Sequence, residues 1–193
     1  MVCVRIAGVD VLDKLLGGAS RVRLLRLFLL NPDTSFEAKD VSRRIKVKPD
    51  FVRKELGTLA LAKFIKKGSK GYKLSRSFEF LAPLRSLLLT SDPFKDDEIV
   101  RRFKGGGNMK VVAVAGLFTQ DPNSRVDILL VGDHLKRGKI ESALRDMEAE
   151  VGKELSYALF DTPEFKYRME VFDKFIRDIL DYPHRILLDK IGI

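Results

Sequence analysis

Tryptophan is missing from the 193 residues, cysteine occurs once and histidine only twice. The lone Cys3 rules out a disulfide within the chain, and Cys3, His134 and His184 lack the paired spacing of a zinc site. No metal ligand set and no cofactor is therefore expected. No apolar run approaches the roughly 20 residues that a membrane-crossing helix needs. Met1–Asp10 also lacks the basic-then-apolar order of a secretory leader. The expectation is a protein of the reduced cytoplasm, with no membrane partner.

What is abundant is positive charge, and it is unevenly placed. Residues 1–95 hold 20 Lys and Arg against 9 Asp and Glu, a net of +11, whereas residues 96–193 hold 16 against 18, a net of −2. A basic half joined to a nearly neutral one is the pattern of a nucleic-acid-binding domain followed by an ordinary domain, because cations that meet phosphates release condensed counterions. The break is expected near Thr90-Ser91-Asp92-Pro93, giving domains at 1–92 and 93–193.

In the basic half, Val22, Leu24, Leu25, Phe28 and Leu29 recur at helical spacing, with Ser20 as the expected N-cap and Asn31-Pro32 as the stop. A second helix is expected over Phe36–Ile45, capped by Ser35 and burying Ala38, Val41 and Ile45. After the turn Lys46-Val47-Lys48, Pro49 suits the first position of a third helix, where its missing N–H costs nothing. Val52, Leu56 and Leu59 face inward, which leaves Lys48, Asp50, Phe51, Arg53, Lys54 and Thr58 on or near the outer side. Phe64–Lys67 and Gly71–Ser75 then read as short strands about the turn Gly68-Ser69-Lys70.

Three helices followed by a basic hairpin resemble the winged helix-turn-helix domains of prokaryotic transcription regulators over roughly 11–77. The resemblance implies that the third helix enters the major groove, where Arg53, Lys54, Asp50 and Thr58 reach bases or phosphates. It also implies that Arg43, Arg44 and Lys48 clamp the backbone, and that Lys66, Lys67, Lys70 and Lys73 of the wing touch phosphate or the minor groove. Residues 20–76 carry 16 cations against 5 anions, so the group is less readily explained as an ordinary solvated surface than any single member. The partner implied is double-stranded DNA. Beyond the wing, Phe78, Leu81, Leu84, Leu87 and Leu88 form a stripe that either packs on its own domain or pairs with a second copy in a homodimer.

The second half reads as a helix over Asp97–Phe103, strands over Lys110–Phe118 and Val126–Val131, and a helix over Arg137–Val151. A strand over Leu155–Phe160, one long helix from Thr162 to Leu180 and an edge strand at Arg185–Leu188 complete it. Gly105-Gly106-Gly107 precedes a strand and so does not fit a phosphate loop. The order resembles the minimal nucleotidyltransferase family, a mixed sheet with helices on one side, whose motif is Gly-Ser followed on the next strand by Asp-x-Asp. Here Gly116 and Asp127 match, while Leu117 replaces the Ser and Arg125 the first Asp. Such enzymes hold Mg²⁺ with paired carboxylates, and a guanidinium there both removes a ligand and repels the metal.

The fold expected is thus α+β: a winged helix followed by a degenerate nucleotidyltransferase-like domain. The function expected is DNA-binding transcription regulation, with a catalytically inactive second domain that dimerises or senses a ligand. Gly116, Arg125 and Asp127, with Lys110 and the amides after Gly116, are the candidates for holding a nucleotide or other anion without reacting it. Two alternatives are a nucleotidyltransferase that modifies a protein or RNA, similar to antitoxin-type transferases, and a non-enzymatic module that docks a protein.

Overall fold

A computed structural model describes residues 11–90 and 94–193; Met1–Asp10, with Cys3, and the boundary residues Ser91–Pro93 lie outside the described residues. The described chain is mixed α+β, with nine α-helices and two small sheets. It divides into two units, the first made of residues 1–93 with 147–153 and the second of 94–146 with 154–193. The division at 93/94 lies one residue from the expected 92/93, and residues 147–153 join the first unit in addition. Residues 147–153 group with the first unit because Asn31 Nδ2 donates to both Leu27 O (2.7 Å) and Gly152 O (2.8 Å), and Arg23 pairs with Glu150 at 3.5 Å. Such contacts are 121 positions apart in the case of Asn31 and Gly152 and leave no local trace in the sequence.

The first unit begins with α1 (Val11–Leu15) and α2 (Ala19–Leu30), continues through α3 (Ala38–Ile45) and α4 (Pro49–Leu61), then β1 (Ile65–Gly68), β2 (Gly71–Leu74) and α5 (Leu81–Thr90). Its centre is α2, in which Val22 and every residue from Leu24 to Leu29 is buried. A helix buried nearly all round has to accommodate its polar residues, and Arg26 does so by donating from Nε to Leu88 O at 3.3 Å. Val41 and Ile45 of α3, Val52 and Leu56 of α4 and Leu88 of α5 complete this core with Phe64, Ile65 and Leu74.

Two helix starts differ from expectation. Gly18, not Ser20, precedes α2, and α3 starts at Ala38, not Phe36. The second difference has a clear cause. Phe36 is extended, and its N–H and C=O both bond to Tyr72 at 2.8 Å, so this residue, two before the start of α3, serves as a one-residue third strand on the hairpin. Its ring lies edge-on to Phe28 at 5.8 Å. The α3–α4 turn is closed by Lys46 in the left-handed region (φ 53°) and by Ser42 Oγ donating to Val47 O at 2.6 Å. Pro49 occupies the first turn of α4, as expected. The leucine stripe of α5 resolves toward its own unit: Leu81, Leu84 and Leu88 pack on the core and Leu87 alone of them is exposed.

One ion pair locks α4 to α2. The buried Glu55 carboxylate accepts from Arg21 Nε at 2.7 Å and from the guanidinium's Nη2 at 2.8 Å, 34 positions away. This bidentate pairing raises the already high pKa of Arg21, with burial opposing it.

The second unit runs α6 (Asp96–Arg102), β3 (Asn108–Val114), a single 3₁₀ turn (Gly116–Phe118), β4 (Ile128–Asp133), α7 (Arg137–Val151, of which residues to 146 belong here), β5 (Tyr157–Phe160), α8 (Thr162–Glu170), α9 (Lys174–Leu180) and β6 (Arg185–Asp189). The sheet order is β5-β4-β3-β6, with β4 and β5 parallel and the other pairs antiparallel. Val111, Ala113, Leu129 and Val131 share a core with Phe165, Ile176 and Ile179 of α8 and α9, while Val112, Val114 and Leu130 on the opposite face are equally buried. Both faces of the central strands are therefore covered, not one. The unbroken runs Val111–Ala115 and Ile128–Val131 are the sequence mark of that arrangement.

The long helix expected from Thr162 to Leu180 is broken in two. Phe172 adopts φ 54° and is exposed, and Asp173 Oδ1 then accepts from the amides of Phe175 (2.9 Å) and Ile176 (3.2 Å), capping a new helix. Asp161 caps α8 in the same way through Glu164 N at 2.8 Å. At the end of β6, Asp189 accepts from the amides of Ile191, Gly192 and Ile193, and these bonds hold its carboxyl below the usual carboxylate range. Because the folded pKa is the lower one, the ordering these bonds supply is full above the ordinary Asp pKa and is lost as pH falls through the depressed value. In an NMR titration the three amide resonances should move together, with a midpoint below that of an unrestrained Asp.

Candidate nucleic-acid interface

Helix α4 divides cleanly by face. Val52, Leu56 and Leu59 are buried, and Asp50, Arg53, Lys54, Gly57, Thr58 and Leu61 are exposed at the three-and-four spacing that makes one continuous stripe. Phe51 is half-buried and sits at the margin of the stripe. Within the stripe Arg53 is paired with Asp50, one turn earlier, and Thr58 Oγ1 donates to Lys54 O at 3.2 Å. Both side chains of the Asp50–Arg53 pair are mostly exposed, so the pair orients the guanidinium without removing it from solvent.

The last turn of helix α3 carries Arg43 and Arg44. Arg43 pairs with Asp40 at 2.8 Å, and the Arg44 guanidinium lies 5.4 Å from the centre of the Phe36 ring. Lys48, Lys54 and Lys70 are exposed and make no ion pair among the described residues.

On the hairpin, Lys66 stands directly across from Lys73 and Lys67 across from Tyr72. Like charges at facing positions repel, and the structure offsets this locally: Lys73 approaches Asp33 at 3.6 Å, and Lys66 Nζ donates to Ser77 Oγ at 3.3 Å. Lys67 Nζ lies 6.0 Å from the Tyr72 ring centre. Arg76, outside the expected set, joins the group by pairing with Asp33 at 2.6 Å, and the run of cations through 63–76 is the signal that would have included it. Leu61, at the far end of the exposed stripe, is exposed although an apolar residue in a helix ordinarily reads as core.

In the second unit, Gly116, Arg125 and Asp127 do not converge on an open site. Asp127 Oδ1 accepts from Leu117 N at 2.7 Å and its Oδ2 from Ser156 N at 2.8 Å, so the carboxylate ties the 3₁₀ turn to the strand entering β5. Gly116 has φ 51°, and a Cβ there would lie 2.5 Å from Asp127 Oδ1. Arg125 turns away to pair with Asp178 of α9. Lys110 stands 4.0 Å from Asp133. The amides of Phe118, Thr119 and Asp121 are also bonded within the turn, so the cradle expected for an anion is spent internally. Among the described residues no group of three His, Cys, Asp or Glu is placed to hold a metal ion, and no helix is long and apolar enough to cross a membrane.

No family model, curated protein or solved structure matches the chain.

Proposed function

We propose that the first unit is a winged helix that binds double-stranded DNA, and that the chain is a cytoplasmic transcription regulator whose second unit is a non-catalytic, nucleotidyltransferase-like domain. The observation that carries this reading is the exposed stripe on α4, flanked by the cations of α3 and of the hairpin. The hairpin is fastened beside those helices by the Phe36–Tyr72 bridge, so the three basic elements belong to one rigid frame. With Leu81, Leu84 and Leu88 of α5 packed on the core of their own unit, dimerisation or ligand sensing is assigned to the second unit.

Fluorescence anisotropy of the full chain tests the reading, with DNA from upstream of its own gene against scrambled duplex across a salt series. Preference for the native fragment that persists as salt rises supports specific regulation; absence of duplex binding even at low salt sinks it. In the same assay, replacing Arg53 and Lys54 together by Ala should weaken binding about tenfold to a hundredfold, the usual cost of losing base and phosphate contacts. Replacing the exposed Lys166 and Lys190 of the second unit should cost much less. Equal losses would remove α4 as the recognition helix.

A further inference from the structure

Gly57 lies in the interior of α4, four residues before its end, on the exposed stripe between Lys54 and Thr58. A glycine there weakens the helix, because it spends more backbone freedom than any other residue on becoming ordered. Among the described glycines, all but Gly57, Gly68 and Gly138 have internal reasons, a positive φ or a neighbour that a Cβ would strike. Gly71 and Gly116 have positive φ and neighbours that a Cβ would strike, and Gly132 lies 2.5 Å, at its Cβ position, from Asn108 O. Gly57 has neither reason. Its φ is ordinary for a helix, and nothing lies within 4 Å of where its Cβ would be. It is too far from the end of α4 to serve as a helix stop.

We infer that the bare backbone at Gly57 is the point of closest approach between α4 and the base edges of the DNA major groove, with Arg53 and Lys54 reaching from one side and Thr58 and Leu61 from the other. The inference rests on the DNA-binding reading above. Glycine is the residue used where a ligand must come close to a backbone, and an added methyl in a close-packed contact keeps the two surfaces apart. A helix-weakening residue in the middle of a recognition stripe is then a binding feature, and stability and affinity should respond to its replacement with opposite signs.

The experiment is Gly57→Ala in the full chain, read by thermal melting and by anisotropy on a labelled duplex recovered by selection from a randomised pool. The melting temperature should rise by about 3 °C, as expected for Gly to Ala in an exposed helix interior. Affinity should fall about tenfold, and Gly57→Leu should bind more weakly still. Gly138→Ala, at an exposed glycine in the first turn of α7 whose Cβ position is also open, should leave affinity unchanged. Wild-type affinity in Gly57→Ala overturns the inference while leaving DNA binding intact. A lower melting temperature overturns it too, since the Cβ position would not be open. If the wild-type protein recovers no duplex, the DNA-binding reading fails and this inference falls with it.

Discussion

Gly71→Ala should lower the stability of the first unit by about 3 kcal/mol, the sum of a left-handed residue acquiring a Cβ and of two backbone hydrogen bonds giving way. Gly71 has φ 104°, and an added Cβ would lie 2.3 Å from Phe36 O, 2.6 Å from Phe36 C and 2.9 Å from Glu37 N. All three are backbone atoms at the entrance to α3, so no side chain can rotate away. The hairpin must separate from Phe36, breaking the two 2.8 Å bonds that join Phe36 and Tyr72. Hydrogen exchange at those two amides, with denaturant unfolding of the full chain, reads the result. Gly68→Ala is the matched control, since its Cβ would meet nothing closer than Gly71 O at 3.8 Å. If Gly71→Ala unfolds with the control, the hairpin is not fastened as described. Because the hairpin's lysines then lose their fixed place beside α3 and α4, the same variant should bind DNA more weakly than its residual folded fraction accounts for.

The Phe36–Tyr72 bridge also shows where sequence reading stops. The pattern Phe36, Ala38, Val41, Ile45 has helical spacing from its first member, and Ser35 is a good capping residue, so a local reading begins the helix two residues early. What removes Phe36 from the helix is a partner 36 positions away. Helices α4 and α7 were legible for the opposite reason. Pro49 marks a start by local chemistry alone, and an apolar stripe through Ile140, Leu144, Met147 and Val151 needs no distant partner to be seen. The break between α8 and α9 was hidden by aromatic residues. Phe172 continues the apolar spacing of Phe165, Met169 and Phe175, yet it is 75% exposed and left-handed. Asp173 was the available signal, a capping residue ahead of a second apolar run. The outward face of α4 followed directly from its buried positions Val52, Leu56 and Leu59. The partners of the basic side chains around it did not, since Arg76 reaches Asp33 across 43 positions, and the open space around Gly57 likewise leaves no mark in the sequence.

Asp127→Ala should destabilise the second unit by about 2–3 kcal/mol, because a charged carboxylate accepting two backbone N–H groups is worth more than a pair of neutral hydrogen bonds and is here half-exposed. Asp127→Asn should cost less, since its amide oxygen can keep one of the two bonds while its NH₂ opposes the other donor. The graded loss identifies the carboxylate as a strut between the 3₁₀ turn at Gly116–Phe118 and the chain entering β5. A nucleotide-transferring site makes different demands on the same residue. It needs an aspartate free to hold a metal, with a second carboxylate beside it, whereas Arg125 occupies that second position and is itself engaged by Asp178. Two measurements on one set of variants separate the roles. As a strut, Asp127→Ala and Asp127→Asn lower the unfolding midpoint in that order, and wild-type protein transfers no label from nucleotide in the presence of Mg²⁺. As a metal ligand, the wild type transfers label and Asp127→Asn abolishes transfer while folding nearly as well. The second outcome would return the chain to the enzymes and make the basic stripe of α4 a means of capturing the molecule to be modified.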